Sequence, residues 1–152
     1  MTIQIGEAVK AFTLKDQNDK EFNLTEHKGK KVLLSFHPLA WTPVCAKQML
    51  ALEKHSDTFN ELNTIAVGIS VDPVPTKSAW AKDLGIERTQ LPSDFWPHGQ
   101  LARELGIFRD KEGFSQRANV ILDENHRVAW VKTYPLREVP DIEEVLAALK
   151  AI

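Results

Sequence analysis

Two nearly continuous apolar runs constrain what this chain can fold into. Residues 31–37 read KVLLSFH and residues 64–71 read TIAVGISV. Runs of this length without polar alternation are typical of strands that are buried on both faces of a sheet. Between them, Thr42-Pro43 predicts a helix start, because threonine is a good N-cap and proline is favoured at the first helical position. Strand, helix and strand in this order predict two parallel strands joined by a helical crossover.

The rest of the sequence adds further elements around this unit. They are an N-terminal hairpin (11–14 with 21–24), helices over 76–84 and about 97–105, a hairpin (117–123 with 127–133), and a helix that Pro140 opens. The late hairpin is necessarily antiparallel, so the sheet is mixed, and helices on both faces are its simplest cover. We therefore expect an α/β chain with a thioredoxin-like fold and an extra N-terminal β-hairpin, in which residues 1–152 form one domain.

Composition excludes several classes of function. The 19 basic and 21 acidic residues form no basic cluster, so no nucleic acid partner is expected. The apolar runs are too short to span a bilayer, so no membrane partner is expected either. A single cysteine cannot form an intrachain disulfide, which suits a cytoplasmic setting. The sequence has no phosphate-binding glycine loop and no cluster of metal ligands, so we expect no cofactor and no metal.

Cys45 is the only cysteine and the most informative residue. It occupies the third helical position after Thr42, where unpaired backbone N–H groups and the helix dipole favour an anion. A free cysteine is only about 3% thiolate at pH 7, and making it mostly thiolate takes roughly 3.4 kcal/mol. A helix N-terminus supplies typically ~0.3–1 kcal/mol and at most ~2 kcal/mol. A reactive Cys45 therefore needs a nearby cation; the alternative is a small, buried, inert side chain.

The residues before Cys45 favour the reactive alternative. Pro38, Thr42 and Cys45 form a P-x-x-x-T-x-x-C pattern between the buried strand and the helix. This pattern resembles the active-site loop of peroxiredoxins, the AhpC/TSA-like thiol peroxidases. The resemblance covers most of the chain, through residues 6–14, 31–45, 91–94, 105–107 and Arg117, which opens the strand RANVILD. It implies a thiol-dependent peroxidase that reduces hydrogen peroxide or small organic hydroperoxides.

The resemblance also implies a role for each matching residue. Cys45 would attack the peroxide and become a sulfenic acid, and Arg117 would supply the missing cation. The hydroxyl of Thr42 and the backbone N–H groups of Val44 and Cys45 would bind the reacting groups. Pro38 would shield the sulfur from water. From the residues alone, Thr42 is also compatible with a helix cap only, and Arg117 with a surface salt bridge.

Two departures from the family pattern bear on the chemistry. Gln48 stands where the family usually has a glutamate that orients the arginine. It is expected among the substrate-binding residues, where its carbonyl can accept a hydrogen bond but brings no negative charge. This change leaves two alternatives open: a less neutralised Arg117 or a less firmly placed one. The sequence has no second cysteine, so the resemblance implies reduction by an external thiol of the thioredoxin, glutaredoxin or low-molecular-weight type.

His37 directly precedes Pro38, where some one-cysteine peroxiredoxins carry a histidine. It is either a substrate-binding residue that bonds near the sulfur or peroxide, or a satisfied structural histidine at a strand end. Trp41 and Trp96 lie in or after loops that often form a dimer contact in peroxiredoxins, which favours a homodimer.

Two other functions compete with the peroxidase. A disulfide reductase of similar fold is disfavoured by the lack of C-x-x-C. A redox sensor or binding module that does not turn over is kept open by Gln48.

Overall fold

The central sheet has four strands, and the apolar run at residues 31–37 forms one of its two interior strands. The computed structural model describes residues 1–152. The strands are β1 (Thr13–Lys15), β2 (Glu21–Asn23), β3 (Lys31–Phe36), β4 (Thr64–Ile69), β5 (Phe108–Arg109), β6 (Phe114–Ser115), β7 (Arg117–Leu122) and β8 (Val128–Tyr134). The central sheet has the order β4-β3-β7-β8, and β3 runs parallel to β4 but antiparallel to β7. The predicted mixed sheet, the parallel crossover and the late hairpin are all confirmed.

Helices cover both faces of this sheet, as predicted. They are α1 (Pro43–Lys54), α2 (Ser56–Glu61), α3 (Val74–Leu84), α4 (Gln100–Glu104) and α5 (Ile142–Lys150), with a short 3₁₀ helix at Leu24–His27. Side chains of α1, α2, α3 and α5 pack with Leu33 and Ile121 on one face. Side chains of α4 and of the N-terminal hairpin β1–β2 pack with Val32 and Leu34 on the other. Neighbours on β3 thus point to opposite faces, and both faces are buried.

The close approach of α1 to the sheet places the start of that helix beside the end of β3. Met49 of α1 lies directly over Gly68 of β4, and a Cβ atom added at Gly68 would overlap the Met49 sulfur. Only glycine leaves room for this contact, because the interior is close-packed. The first turn of α1, which carries Cys45, is therefore held against the carboxyl ends of β3 and β4.

Element boundaries differ from the predicted ones where prolines and short strands are involved. Helix α3 begins at Val74, two residues before the predicted start, because Pro75 lies in the first turn, where no backbone N–H is needed. Asp141 rather than Pro140 caps α5, through a bond from the Glu143 amide. The antiparallel β5–β6 pair was not predicted. No helix in the chain combines the length and hydropathy required to cross a bilayer.

Candidate active site

Strand register brings the two ends of the sequence pattern together. Ala118 of β7 pairs with Phe36, the last residue of β3, so Arg117 lies just beyond the carboxyl end of β3. The chain leaves β3 at His37 and enters α1 at Pro43. Arg117 and Cys45, 72 residues apart in sequence, therefore meet at one edge of the sheet.

Cys45 is buried, with a guanidinium as its polar neighbour. Cys45 is only 1% exposed, and Nη1 of Arg117 donates to its Sγ atom over 3.3 Å. The sulfur lies beside an open cavity of about 210 Å³. The residues that line this cavity are Pro38, Leu39, Thr42, Pro43, Val44, Cys45, Phe114, Arg117 and Leu136. Five of the seven residues named from the sequence thus share one small and mostly apolar space.

The guanidinium of Arg117 is buried without a carboxylate partner. Its Nε and Nη2 donate to the carbonyl oxygen of Leu136 over 3.1 and 2.7 Å, and Nη1 donates to Gln48 Oε1 over 2.7 Å. These bonds fix the plane of the side chain, but all three go to neutral oxygen atoms. A buried cation of this kind favours an anion next to it, and the Cys45 sulfur is the group in contact with it that can ionise.

Gln48 orients Arg117 and does not line the cavity. It is 3% exposed, and its amide nitrogen donates to Ser35 Oγ over 2.7 Å and to the Phe36 carbonyl over 3.1 Å. The nitrogen bonds leave Oε1 facing Arg117. Of the two alternatives, the structure favours a firmly placed arginine that lacks a negative neighbour. The structure places Gln48, which is expected among the substrate-binding residues, behind Arg117 and outside the cavity.

Thr42 stands at the N-cap position of α1 but does not cap it. Its hydroxyl donates to the Leu39 carbonyl over 2.8 Å and makes no side-chain bond to the first turn. The backbone N–H groups of Val44 and Cys45 make no hydrogen bond within the chain. The first turn of α1 therefore offers two amide donors beside the sulfur, and the Thr42 oxygen keeps its lone pairs available.

His37 lies outside the cavity, contrary to the expected substrate-binding role. It is completely buried, its ring packs against Trp80 at 5.3 Å, and neither ring nitrogen has a hydrogen-bond partner. Burial lowers the pKa of His37 well below its ordinary value, and the charges of Lys77 and Arg117 lower it further. His37 is a neutral imidazole behind the site. Its buried position at the end of β3 agrees with the structural alternative, although its ring nitrogens have no hydrogen-bond partner.

Four residues that line the cavity were not among the site residues named from the sequence: Leu39, Pro43, Phe114 and Leu136. Phe114 belongs to the unpredicted strand β6, and Leu136 follows β8. Arg117 pairs with Tyr134 across β7–β8. Extending the predicted hairpin by a few residues would therefore have placed Leu136 close to the arginine.

Comparison with known proteins gives one family. The model of the AhpC/TSA family matches residues 5–131. Alkyl hydroperoxide reductase E of Mycobacterium tuberculosis is 35% identical over 153 residues, which span 98% of this chain and 99% of that protein. Peroxiredoxin 2 of Picrophilus torridus is 31% identical, over 100% of this chain and 77% of its own length.

Solved structures agree with this match. The 2-Cys peroxiredoxin of Plasmodium vivax in its reduced form superposes with a TM-score of 0.87 at 31% identity, over 97% of this chain and 80% of that one. Peroxidoxin BcpB from Mycobacterium tuberculosis superposes with a TM-score of 0.85 at 28% identity, over 99% of this chain and 98% of its own. The similarity therefore extends over the whole fold described above.

Proposed function

Because this chain belongs to the AhpC/TSA family and is a peroxiredoxin, a thiol-dependent peroxidase with a single cysteine, we propose that Cys45 is its peroxide-reducing nucleophile. The observation that carries the proposal is the 3.3 Å contact between Arg117 Nη1 and Cys45 Sγ at the wall of an open cavity. This contact supplies the cation that a reactive cysteine requires, since the helix N-terminus alone is too weak.

The reaction follows from the groups that surround the sulfur. The Cys45 thiolate attacks the terminal oxygen of the hydroperoxide, so that an S–O bond forms while the O–O bond breaks. Arg117 and the free amides of Val44 and Cys45 stabilise the negative charge that moves onto the leaving oxygen. That oxygen takes up a proton and departs as water or an alcohol. Cys45 is left as a sulfenic acid.

Thr42 and Pro38 shape the approach of the substrate. Because the Thr42 hydroxyl already donates to the Leu39 carbonyl, its oxygen accepts the O–H of the incoming hydroperoxide. Pro38 lines the cavity next to the sulfur and keeps water from that side. The cavity of about 210 Å³ suits hydrogen peroxide and small organic hydroperoxides.

Recovery of the thiol requires an external reductant, because the sequence contains no second cysteine. A first thiol of the thioredoxin, glutaredoxin or low-molecular-weight type condenses with the sulfenic acid, which releases water and leaves a mixed disulfide. A second thiol then releases Cys45 and carries away a disulfide.

A homodimer formed through the loops beside the site also belongs to this proposal. Trp96, Trp41 and Phe95 are 80%, 53% and 45% exposed. Their two loops are tied together, since Asp72 accepts from the Ala40 amide and its carbonyl accepts from Ser93 Oγ. Aromatic side chains are enriched in interfaces. Sedimentation equilibrium should give twice the chain mass for the wild type and a monomer for a Trp41→Ser, Trp96→Ser double variant; a monomeric wild type refutes the dimer.

We further propose that residues 1–152 fold as one domain that works in the cytoplasm, where thiol reductants are abundant. A single urea-induced transition, coincident by tryptophan fluorescence and circular dichroism, is the expected result. Two separate transitions refute the single domain, and a membrane or exported fraction after cell fractionation refutes the location.

Steady-state consumption of hydrogen peroxide with excess dithiothreitol tests the chemistry. The wild type should complete many turnovers per chain, and Cys45→Ser should complete none. Thr58→Ser, a matched small change on α2 outside the site, is the control and should behave as wild type. Turnover by Cys45→Ser refutes the nucleophile, and consumption of one equivalent without recycling refutes the peroxidase cycle.

A further inference from the structure

A lysine is completely buried behind the active-site loop. Lys77 of α3 is 0% exposed, and its Nζ donates to Ser70 Oγ over 2.8 Å and to the Gly68 carbonyl over 3.3 Å. No carboxylate lies within salt-bridge distance of it. Lysine is almost never fully buried without a charged partner, because removing an ammonium from water is costly. Such a group is retained where it serves a function, and the reaction proposed above assigns it none.

Hydrogen bonds connect this lysine to the active-site loop. Ser70 Oγ, which accepts from Lys77, donates to Asp72 Oδ2 over 2.6 Å. The same carboxylate oxygen accepts from the backbone amide of Ala40 over 2.8 Å. Ala40 lies in the turn between Pro38 and Thr42, so three consecutive hydrogen bonds join a buried cation to the backbone that presents Thr42 to the cavity.

The turn needs such an anchor. Trp41 has a φ of 66°, in the left-handed region that a bulky side chain rarely adopts. A non-glycine residue in this region is strained and persists only where surrounding bonds hold it. Two bonds hold Trp41 in this conformation. The Ala40 amide, just before it, donates to Asp72, and the Thr42 hydroxyl, just after it, donates to the Leu39 carbonyl.

We propose that Lys77 is a positioning residue of the peroxidase: through Ser70 and Asp72 it fixes the Pro38–Thr42 turn, and its positive charge supports the Cys45 thiolate from behind. The proposal rests on the peroxidase function inferred above. Lys77 touches neither the peroxide nor the sulfur, so its effect is on geometry and field. Displacement of a reacting group by about 1 Å can slow catalysis about a hundredfold.

The surroundings of Lys77 give its charge a dependence on pH. The charged and titratable groups that face it are Asp72 and Asp94 from the loops, Cys45 from α1 and His37 at the end of β3. Burial lowers the pKa of Lys77 to about 7, although Asp72, Asp94 and Cys45 act in the opposite direction. His37 is neutral here, so Lys77 is the basic group of this cluster that changes charge near neutral pH. When Lys77 loses its proton, its hydrogen bond through Ser70 to Asp72 weakens, and so does its electrostatic stabilisation of the Cys45 thiolate.

Stopped-flow oxidation of the reduced protein by hydrogen peroxide, followed by tryptophan fluorescence between pH 5 and 9, tests the proposal. The wild-type rate constant should fall above about pH 7 as Lys77 loses its proton. Lys77→Met should lose the falling limb and react on the order of tenfold more slowly at pH 7. Ser70→Ala, which keeps the lysine but breaks the connection to Asp72, should also be slower.

Lys82→Met is the matched control, since Lys82 is exposed on the same helix; it should have the wild-type rate and pH profile. If Lys77→Met and Ser70→Ala fold, by circular dichroism, yet oxidise with the wild-type rate and profile, the proposal is overturned and Lys77 is structural only. If Lys77→Met does not fold, Ser70→Ala decides. Failure of the peroxidase function itself is distinguishable, because Cys45→Ser would then still consume peroxide.

Discussion

Replacing Gln48 by glutamate tests whether Arg117 is a cation without a neutralising partner. In the wild type, Gln48 Oε1 and Cys45 Sγ both accept from Nη1 of Arg117, over 2.7 and 3.3 Å. Two atoms bonded to one nitrogen at these distances lie at most about 6 Å apart. Gln48→Glu therefore places a second negative charge within about 6 Å of the thiolate without changing the size of the side chain.

The expected magnitude follows from Coulomb's law. Two like charges about 6 Å apart repel by about 3 kcal/mol at an effective dielectric constant of about 20. This energy corresponds to an upward shift of about two pH units in the ionisation of the thiol, since one unit is worth about 1.4 kcal/mol. The bonds of residue 48 to Arg117 remain possible, so the arginine should stay in place and the fold should tolerate the change.

Alkylation of Cys45 by iodoacetamide, followed from pH 4 to 10, measures this shift directly because only the thiolate reacts. Gln4→Glu, the same charge change at an exposed position of the N-terminal segment, is the control and should leave the midpoint of the alkylation profile unchanged. A downward shift of the midpoint for Gln48→Glu, or no shift, refutes the reasoning that Arg117 has no neutralising carboxylate in the wild type.

Substitutions of three buried basic residues, Arg117, His37 and Lys77, test the electrostatics of the site. Arg117→Met should slow oxidation by peroxide on the order of a hundredfold, the typical loss for one transition-state donor, and raise the midpoint of Cys45 alkylation; an unchanged stopped-flow rate contradicts it. His37 has a lowered pKa, so the unfolded chain takes up a proton below about pH 6.5 that the folded chain does not, and stability falls on acidification. His37→Phe should therefore reduce the loss of unfolding free energy between pH 7 and pH 5, measured with urea; an unaltered loss is the contrary result. Because the pKa of folded Lys77 is about 7, well below that of a lysine in the unfolded chain, the wild type should gain stability from pH 7 to 10, by up to about 1.4 kcal/mol per pH unit. Lys77→Met should lose this gain in the same urea titrations, and retention of the full gain argues against Lys77 as its source.

The sequence predicts the sheet well because its signal is burial. The strands over 31–37 and 64–71 are apolar on both faces, and such runs have few alternatives in a chain of this length. The β5–β6 pair was not predicted because two-residue strands carry no periodicity. The start of α3 was misplaced because a proline in a first turn and a proline that breaks a helix look alike in sequence.

The candidate site was predicted unevenly for a physical reason. Local spacing places Thr42 and Cys45 on one helix start, but the contact with Arg117 depends on the register between β3 and β7, which the sequence pattern alone does not give. The family resemblance supplied that contact. Lys77 was missed, although it lies three and four residues before Trp80 and Ala81 on the buried face of α3. A lysine at an apolar helical position is the signal that could have identified it.

Trapping the oxidised cysteine tests the central claim most directly. Reduced protein is mixed with one equivalent of hydrogen peroxide in the presence of dimedone, and the site of the adduct is located by mass spectrometry. The account predicts that the peroxide disappears in a single turnover and that Cys45 carries one adduct per chain. Rapid loss of the peroxide with Cys45 still a free thiol would show that the electrons come from elsewhere in the chain.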